Sequence, residues 1–134
     1  MIVIDASTMV FALSSPSEQG DAARAVLAQD DLWLAPAHMP LEVIRTLRKA
    51  IVSGAMTEAD AEAAYHALAA AEITYIGTSP LLLASVWAMR HNVSAYDAAY
   101  LAVAAQHEAQ LVTLDSRLAK AAEQVAPLIS VVLI

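Results

Sequence analysis

The chain has 134 residues, 59% of them apolar, a formal charge of −7 and no cysteine. That length suits one compact domain over residues 1–134 and leaves no room for a second, while the lack of cysteine excludes a disulfide framework and any thiolate metal site. Apolar stretches such as Leu81-Leu82-Leu83-Ala84 fall far short of the ~20 residues that span a bilayer, and the first residues lack the pattern of an export signal, so a cytoplasmic protein without membrane association is expected.

Residues 2–5 are continuous and β-branched and read as a buried strand. A short helix over about 6–13 follows, ended by the turn Ser14-Ser15-Pro16-Ser17, then a helix over about 18–29 and a strand at Leu32-Trp33-Leu34-Ala35. Pro36 and Pro40 frame the start of a helix reaching about Val52, with Pro40 suited to a first-turn position because no hydrogen bond is lost there. Ser53-Gly54 ends it, and Thr57-Glu58-Ala59-Asp60 opens the next helix, to about Ala71, by a capping arrangement. Ile73-Thr74-Tyr75-Ile76 is a third strand, closed by Gly77. Helices over about 80–91 and 95–108 precede a strand at 110–114, and a helix over about 116–124 leads past Pro127 to a last strand near 129–133. Strands alternating with helices predict an α/β, doubly wound domain: a parallel sheet of about five strands with helices on both faces.

Four carboxylates, Asp5, Glu42, Asp97 and Asp115, fall where a strand or loop turns into a helix. Each has an ordinary structural use, since an acid at a helix start accepts a free backbone N–H and faces the positive end of the helix dipole. Ser94 and Asp97 have the spacing of a capping box, and Glu42 after Pro40 suits dipole compensation. In a parallel sheet, however, the carboxyl ends of the strands share one edge, and ligands collect where the strand order reverses. With the first strand central and the fourth beside it, Asp5 and Asp115 border that crevice. Two carboxylates ~5 Å apart repel by roughly 3 kcal/mol at an effective dielectric near 20, which recruits a cation or raises pKa values. Oxygen-only ligation selects Mg²⁺ or Mn²⁺ over zinc.

These residues sit in recognisable surroundings. Ile4-Asp5-Ala6-Ser7 resembles the first motif of the PIN-domain ribonucleases, and Glu42 within Leu41-Glu42-Val43-Ile44-Arg45-Thr46-Leu47-Arg48 resembles the second. The run Tyr96-Asp97-Ala98-Ala99-Tyr100-Leu101-Ala102-Val103-Ala104 is similar to the third and most specific motif, and Leu111-Val112-Thr113-Leu114-Asp115-Ser116-Arg117-Leu118 to the fourth. The likeness spans essentially the whole chain and is strongest to the VapC toxins of VapBC toxin–antitoxin pairs. It implies a PIN fold, a Mg²⁺- or Mn²⁺-dependent endoribonuclease, usually a homodimer, and inhibition by a cognate VapB antitoxin. Asp5, Glu42 and Asp97 match the family's acidic triad, Asp115 its fourth acidic position, and Ser7 and Thr113 its supporting polar positions. By this likeness Asp5, Asp97 and Asp115 are mainly metal ligands, while Glu42 ligates the metal or orients the attacking water.

The acidic balance argues against a nucleic-acid partner, but five of the seven basic residues, Arg45, Arg48, Lys49, Arg117 and Lys120, follow Glu42 or Asp115 within one or two helical turns. Arg45, Arg48, Lys49 and Arg117 are therefore the expected RNA contacts, with modest, salt-sensitive affinity. His38, His66, His91 and His107 show no metal spacing and read as surface or packing residues. Trp33, Trp87 and the tyrosines read as packing ahead of base stacking, and Met9, Val10 and Phe11 either pack under the sheet or receive an antitoxin helix. Aspartyl phosphotransfer fits poorly. A receiver domain needs an acceptor Asp after the third strand, where Gly77 stands, and a haloacid-dehalogenase-like site needs an Asp where Ser7 stands. The remaining alternative is a catalytically inactive PIN-fold module that binds RNA or protein.

Overall fold

The computed structural model describes residues 1–134 and contains five strands and seven helices. They run β1 (Ile2–Ile4), α1 (Ala6–Ser14), α2 (Glu18–Leu27), β2 (Trp33–Pro36), α3 (Met39–Ser53), α4 (Glu58–Ala70), β3 (Ile73–Ile76), α5 (Pro80–Ala88), α6 (Ala95–Gln106), β4 (Gln110–Thr113), α7 (Ser116–Val125) and β5 (Val131–Leu133). The strands form one parallel sheet in the order β3-β2-β1-β4-β5. This is the doubly wound α/β architecture expected from the alternation of elements, with β1 central. The chain winds outward from β1 to β3, then crosses back to β4, so right-handed connections put helices on opposite faces.

Burial explains the strand sequences. Ile2, Val3 and Ile4 are all buried, as are Leu111, Val112 and Thr113, because a central parallel strand is covered on both sides. Helix α6 lies across β2, β1 and β4 and buries the unbroken run Ala98–Ala104. Four alanines in that run keep its side chains short and let the helix approach the sheet closely. Helix α1 packs with α2, α3 and α4, and α7 covers β4 and β5. No helix is long and apolar enough to cross a membrane.

The ends of several elements differ from expectation. Helix α5 stops at Ala88 rather than 91, where the Met89 N–H donates to the Val86 carbonyl and tightens the last turn. Helix α6 stops at Gln106 rather than 108, because Glu108 takes a left-handed conformation (φ 52°) that turns the chain into β4. Thr57 caps α4 as its sequence predicts, its hydroxyl accepting from the Asp60 N–H, and Gly54 supplies the left-handed residue that ends α3 (φ 76°).

Gly20 is required for a different reason. A Cβ there would stand 2.2 Å from the Ser15 carbonyl oxygen, since α2 lies hard against the end of α1. Within an unobstructed helix Gly→Ala stabilises by about 1 kcal/mol. Here overpacking should reverse the sign, and Gly20→Ala is expected to lower stability by about 1–3 kcal/mol in urea denaturation. A variant as stable as the parent would contradict this packing.

Candidate active site

The carboxyl edge of the sheet is where β1 and β4 hand over to their helices, and the first carboxylate there is buried. Asp5 is 4% exposed. Its oxygens accept from Ser7 Oγ (2.9 and 2.8 Å), the Thr8 backbone N–H (2.8 Å) and Thr113 Oγ1 (2.5 Å). The Thr8 contact is also the N-cap of α1. Burial holds the Asp5 carboxyl above the usual range, with Thr113, Thr8 and Ser7 pulling it partly back. Thr113, the last residue of β4, also accepts from the Asp115 N–H (2.9 Å), and Ser7 Oγ accepts from the Leu114 N–H (3.2 Å). Two hydroxyls thus lace the ends of neighbouring strands around one acid.

Glu42 reaches the same edge from the first turn of α3. Its Oε1 accepts from the Tyr100 hydroxyl (3.2 Å) and lies 2.8 Å from His38 Nε2. That second contact has ion-pair distance but poor direction, and Nε2 is left buried without an aligned hydrogen-bond partner. Tyr100 is fully buried, and its phenol is strongly held in the neutral form by burial and then by the charges of Glu42 and Asp5. It therefore acts as a donor to Glu42.

Asp97 comes from the first turn of α6. Ser94 Oγ accepts from the Asp97 N–H (3.3 Å), but no return bond runs from the Ser94 N–H to the Asp97 carboxylate. Half the expected capping box is formed, and the acid is left for other use. Burial raises the Asp97 carboxyl, the Ser94 hydroxyl opposes this, and the charges of Asp115 and Glu42 raise it further against Arg117. Acids from three separate elements therefore feel one another at Asp97.

Asp115 is the most fully occupied of the four. It caps α7 by accepting from the Arg117 and Leu118 N–H groups (2.8 and 3.4 Å), and the Arg117 guanidinium adds contacts of 3.4 and 3.0 Å. Burial works to raise its pKa, but the Arg117 side chain and the two backbone donors outweigh it and leave it lowered.

No three Asp, Glu or His side chains form a closed ion cage, for Asp115 is drawn to Arg117 and Glu42 to Tyr100 and His38. The donor chemistry nonetheless fits a hard divalent cation: all four acids offer oxygen, Asp5 is desolvated, and Asp97 is destabilised by like charges that a cation would offset. Of the expected RNA contacts, Arg45, Arg48 and Lys49 are exposed on α3, as is the further basic residue Lys120 on α7, and none of them pairs with an acid. Arg117 is bound to Asp115.

His38 and Tyr100 join the site beyond the residues expected from the sequence. His38, expected as a surface or packing residue, abuts Glu42, and the four-residue spacing that puts both on one helical face is present in the sequence. Tyr100 follows Asp97 by three residues, the same kind of signal. His66, His91 and His107 are exposed, as expected. Met9 is buried in the core, with Val10 packed against it, and Trp33 is held by its indole N–H to the Leu27 and Asp30 carbonyls (3.1 and 2.6 Å). The two largest clefts, about 450 and 590 Å³, open at the opposite edge, beside Trp33 and Glu72 and beside Gln110 and Ser130. None of the four acids lines them, so size does not mark the chemistry here.

A PIN domain family model matches residues 2–124. The chain is 37% identical to Ribonuclease VapC1 of Mycobacterium tuberculosis over 119 residues, 89% of each chain. It is 38% identical to Ribonuclease VapC3 of the same organism over 120 residues, 90% of this chain and 86% of the relative. In fold it is similar to VapBC2 from Rickettsia felis, solved bound to a promoter DNA fragment (TM-score 0.70, 13% identity, 100% and 99% of the two chains). It is likewise similar to M. tuberculosis VapC20, described as a Sarcin-Ricin loop cleaving toxin (TM-score 0.68, 18% identity, 90% and 95%). The chain belongs to the PIN-domain family and, within it, to the VapC ribonucleases.

The raised pKa of Asp5 has a stability consequence. Between its unfolded value of 3.8 and its higher folded value, the native state binds more protons than the unfolded state, so stability falls as pH rises through that window. Above it the full penalty of a buried charge persists. Asp5→Asn is therefore expected to melt higher than the parent at pH 7 in chelator, with the advantage shrinking as pH falls toward 4. A variant that melts lower at pH 7 would show that the donors to Asp5 outweigh its burial.

Proposed function

We propose that residues 1–134 act as one PIN domain and as a Mg²⁺- or Mn²⁺-dependent endoribonuclease of the VapC toxin type. The observation that carries this is the gathering of Asp5, Glu42 and Asp97, with Asp115, at one edge of the sheet in a chain of the VapC family.

Asp5, Asp97 and Asp115 are the ligands in this proposal, with Glu42 completing the set. A divalent ion held by them would supply Lewis acidity, making a water more acidic and offsetting charge on the phosphodiester. The protein's own part is preorganisation. Ser7, Thr8 and Thr113 hold Asp5 from three directions, so its carboxylate needs no reordering when RNA binds. Tyr100 fixes Glu42 through Oε1 and leaves Oε2 free of protein donors, available to orient the attacking water. Arg45, Arg48 and Lys49 carry positive charge along α3 from Glu42, a path for the phosphate backbone. Attack of water at phosphorus would break the P–O3′ bond, the water oxygen staying on the 5′-phosphate and the released 3′ oxygen taking up a proton as the 3′-hydroxyl.

The partners proposed are an RNA substrate, a VapB-type antitoxin that inhibits the enzyme, and a second copy of the chain, all in the cytoplasm. Support comes from the VapBC2 fold neighbour and from exposed apolar side chains such as Leu41 and Val52 on α3 and Leu81 and Trp87 on α5, which suit a protein interface.

Purified protein should cut a pool of RNAs in Mn²⁺ and stop in chelator, and Asp97→Asn should lower the rate by about 100-fold or more. Equal cutting by the variant would remove Asp97 from the chemistry. A non-catalytic binding module is separated by thermal unfolding. Ion at about 100 times its Kd should stabilise the parent by about 2.7 kcal/mol, and the absence of any shift would favour the inactive module.

A further inference from the structure

Beside the acids, between the ends of β2 and β3 and the starts of α5 and α6, lies a pocket of about 180 Å³. Its walls include Ile76, Leu82, Val86 and Ala99, and its few polar groups come from Thr78, His38 and Tyr96. We infer that this pocket seats one unpaired nucleobase of the RNA next to the cut phosphate, with Tyr96 as the stacking face and His38 as the wall between base and Glu42. This rests on the ribonuclease reading above and specifies how such an enzyme would hold its substrate.

Three observations converge on a base. The first is adjacency: His38 lines the pocket and touches Glu42 (2.8 Å), and Tyr96, which also lines it, directly precedes Asp97, so two of its walls adjoin the acidic site. The second is size. Pockets for drug-sized ligands run roughly 300–1,000 Å³, and a smaller one takes a single planar ring system while its sugar and phosphate remain outside. The third is chemistry. Apolar walls, an exposed aromatic ring and a few polar atoms are what unstacked bases meet in single-strand readers. Tyr96 is 62% exposed, yet its ring is braced against the His38 imidazole at 4.9 Å between centroids. It is a stacking platform already held in place. His38 in turn lies 5.2 Å from the Tyr100 ring, the donor to Glu42, so a base pressed on Tyr96 would restrain the side chains that set Glu42. His38 is in this sense a positioning residue.

The test compares base-bearing RNA with a chain that has none. Fluorescent oligo(A), oligo(C), oligo(G) and oligo(U) RNAs and an abasic ribose–phosphate oligomer of equal length are titrated with protein. Ca²⁺ replaces Mg²⁺ in these titrations, and gels check that the RNA stays intact. The parent should bind at least one base-bearing oligomer roughly 5- to 150-fold tighter than the abasic one, the fold-change of one stacked base at ~1–3 kcal/mol. Tyr96→Ala, which removes the platform, and Leu83→Trp, which fills the pocket from its exposed rim, should each collapse that preference, while Tyr96→Phe retains it. Equal affinity of the parent for all five oligomers, or a preference that survives in both Tyr96→Ala and Leu83→Trp, overturns the pocket. Metal-dependent cutting with no base preference would overturn the pocket alone. Base preference without cutting in Mn²⁺ would keep the pocket and overturn the ribonuclease reading.

Discussion

A carboxylate buried at the junction of β1 and α1 is costly, since desolvating one charge costs several kcal/mol before compensation. Asp5 is tolerated because three donors meet it: the Thr8 N–H, the Ser7 hydroxyl and, from a strand more than a hundred residues away, the Thr113 hydroxyl. That last bond makes local chemistry depend on the global fold. Only when β4 pairs with β1 in the observed register, Ile4 opposite Val112, does Thr113 come within reach of Asp5. The rest of the acidic edge is built around that anchor.

Four helix N-termini open on this edge, and each carries an acid, Asp5 and Asp115 at the caps and Glu42 and Asp97 in the first turns. The positive ends of the dipoles offset part of the repulsion, and Arg117 offsets more at Asp115. Two acids nonetheless keep raised pKa values, Asp5 through burial and Asp97 through burial and then the charges of Asp115 and Glu42. An arrangement that lowers stability at a preorganised site, against well-formed packing elsewhere, is the usual signature of function. The same field opposes RNA, so the flanking basic residues of α3 and any stacked base must supply attraction that the chain's overall charge does not.

The fold was largely legible in the sequence because a parallel sheet leaves strong marks: short β-branched strands, intervening helices, and turn residues such as Gly54 and Thr57 at the joints. Chain order and the central place of β1 were enough to bring Asp5 and Asp115 to neighbouring strand ends. Side-chain pairing was less legible. The Ser94–Asp97 spacing suggested a closed capping box, yet only one of its two bonds forms, because spacing does not say which way a carboxylate turns. Arg117 looked free for phosphate and is instead held by Asp115 at two residues' distance. Neither His38 nor Tyr100 belongs to a metal-spacing pattern; the His38–Glu42 contact is local to the start of α3, whereas the contacts of Tyr100 with Glu42 and His38 arise only when α3 and α6 meet. The pocket beside them is a property of four elements at once, and no single stretch of sequence encodes it.

Paramagnetic broadening by Mn²⁺ tests the central claim most directly, because it reports where a cation sits without requiring substrate. In amide NMR spectra of the protein titrated with substoichiometric Mn²⁺, signals from residues 5–8, 42, 97–100 and 113–118 should broaden first and together. Broadening centred on the acids of the opposite edge, Asp30, Asp31 and Glu72, or spread evenly over exposed carboxylates, would contradict it.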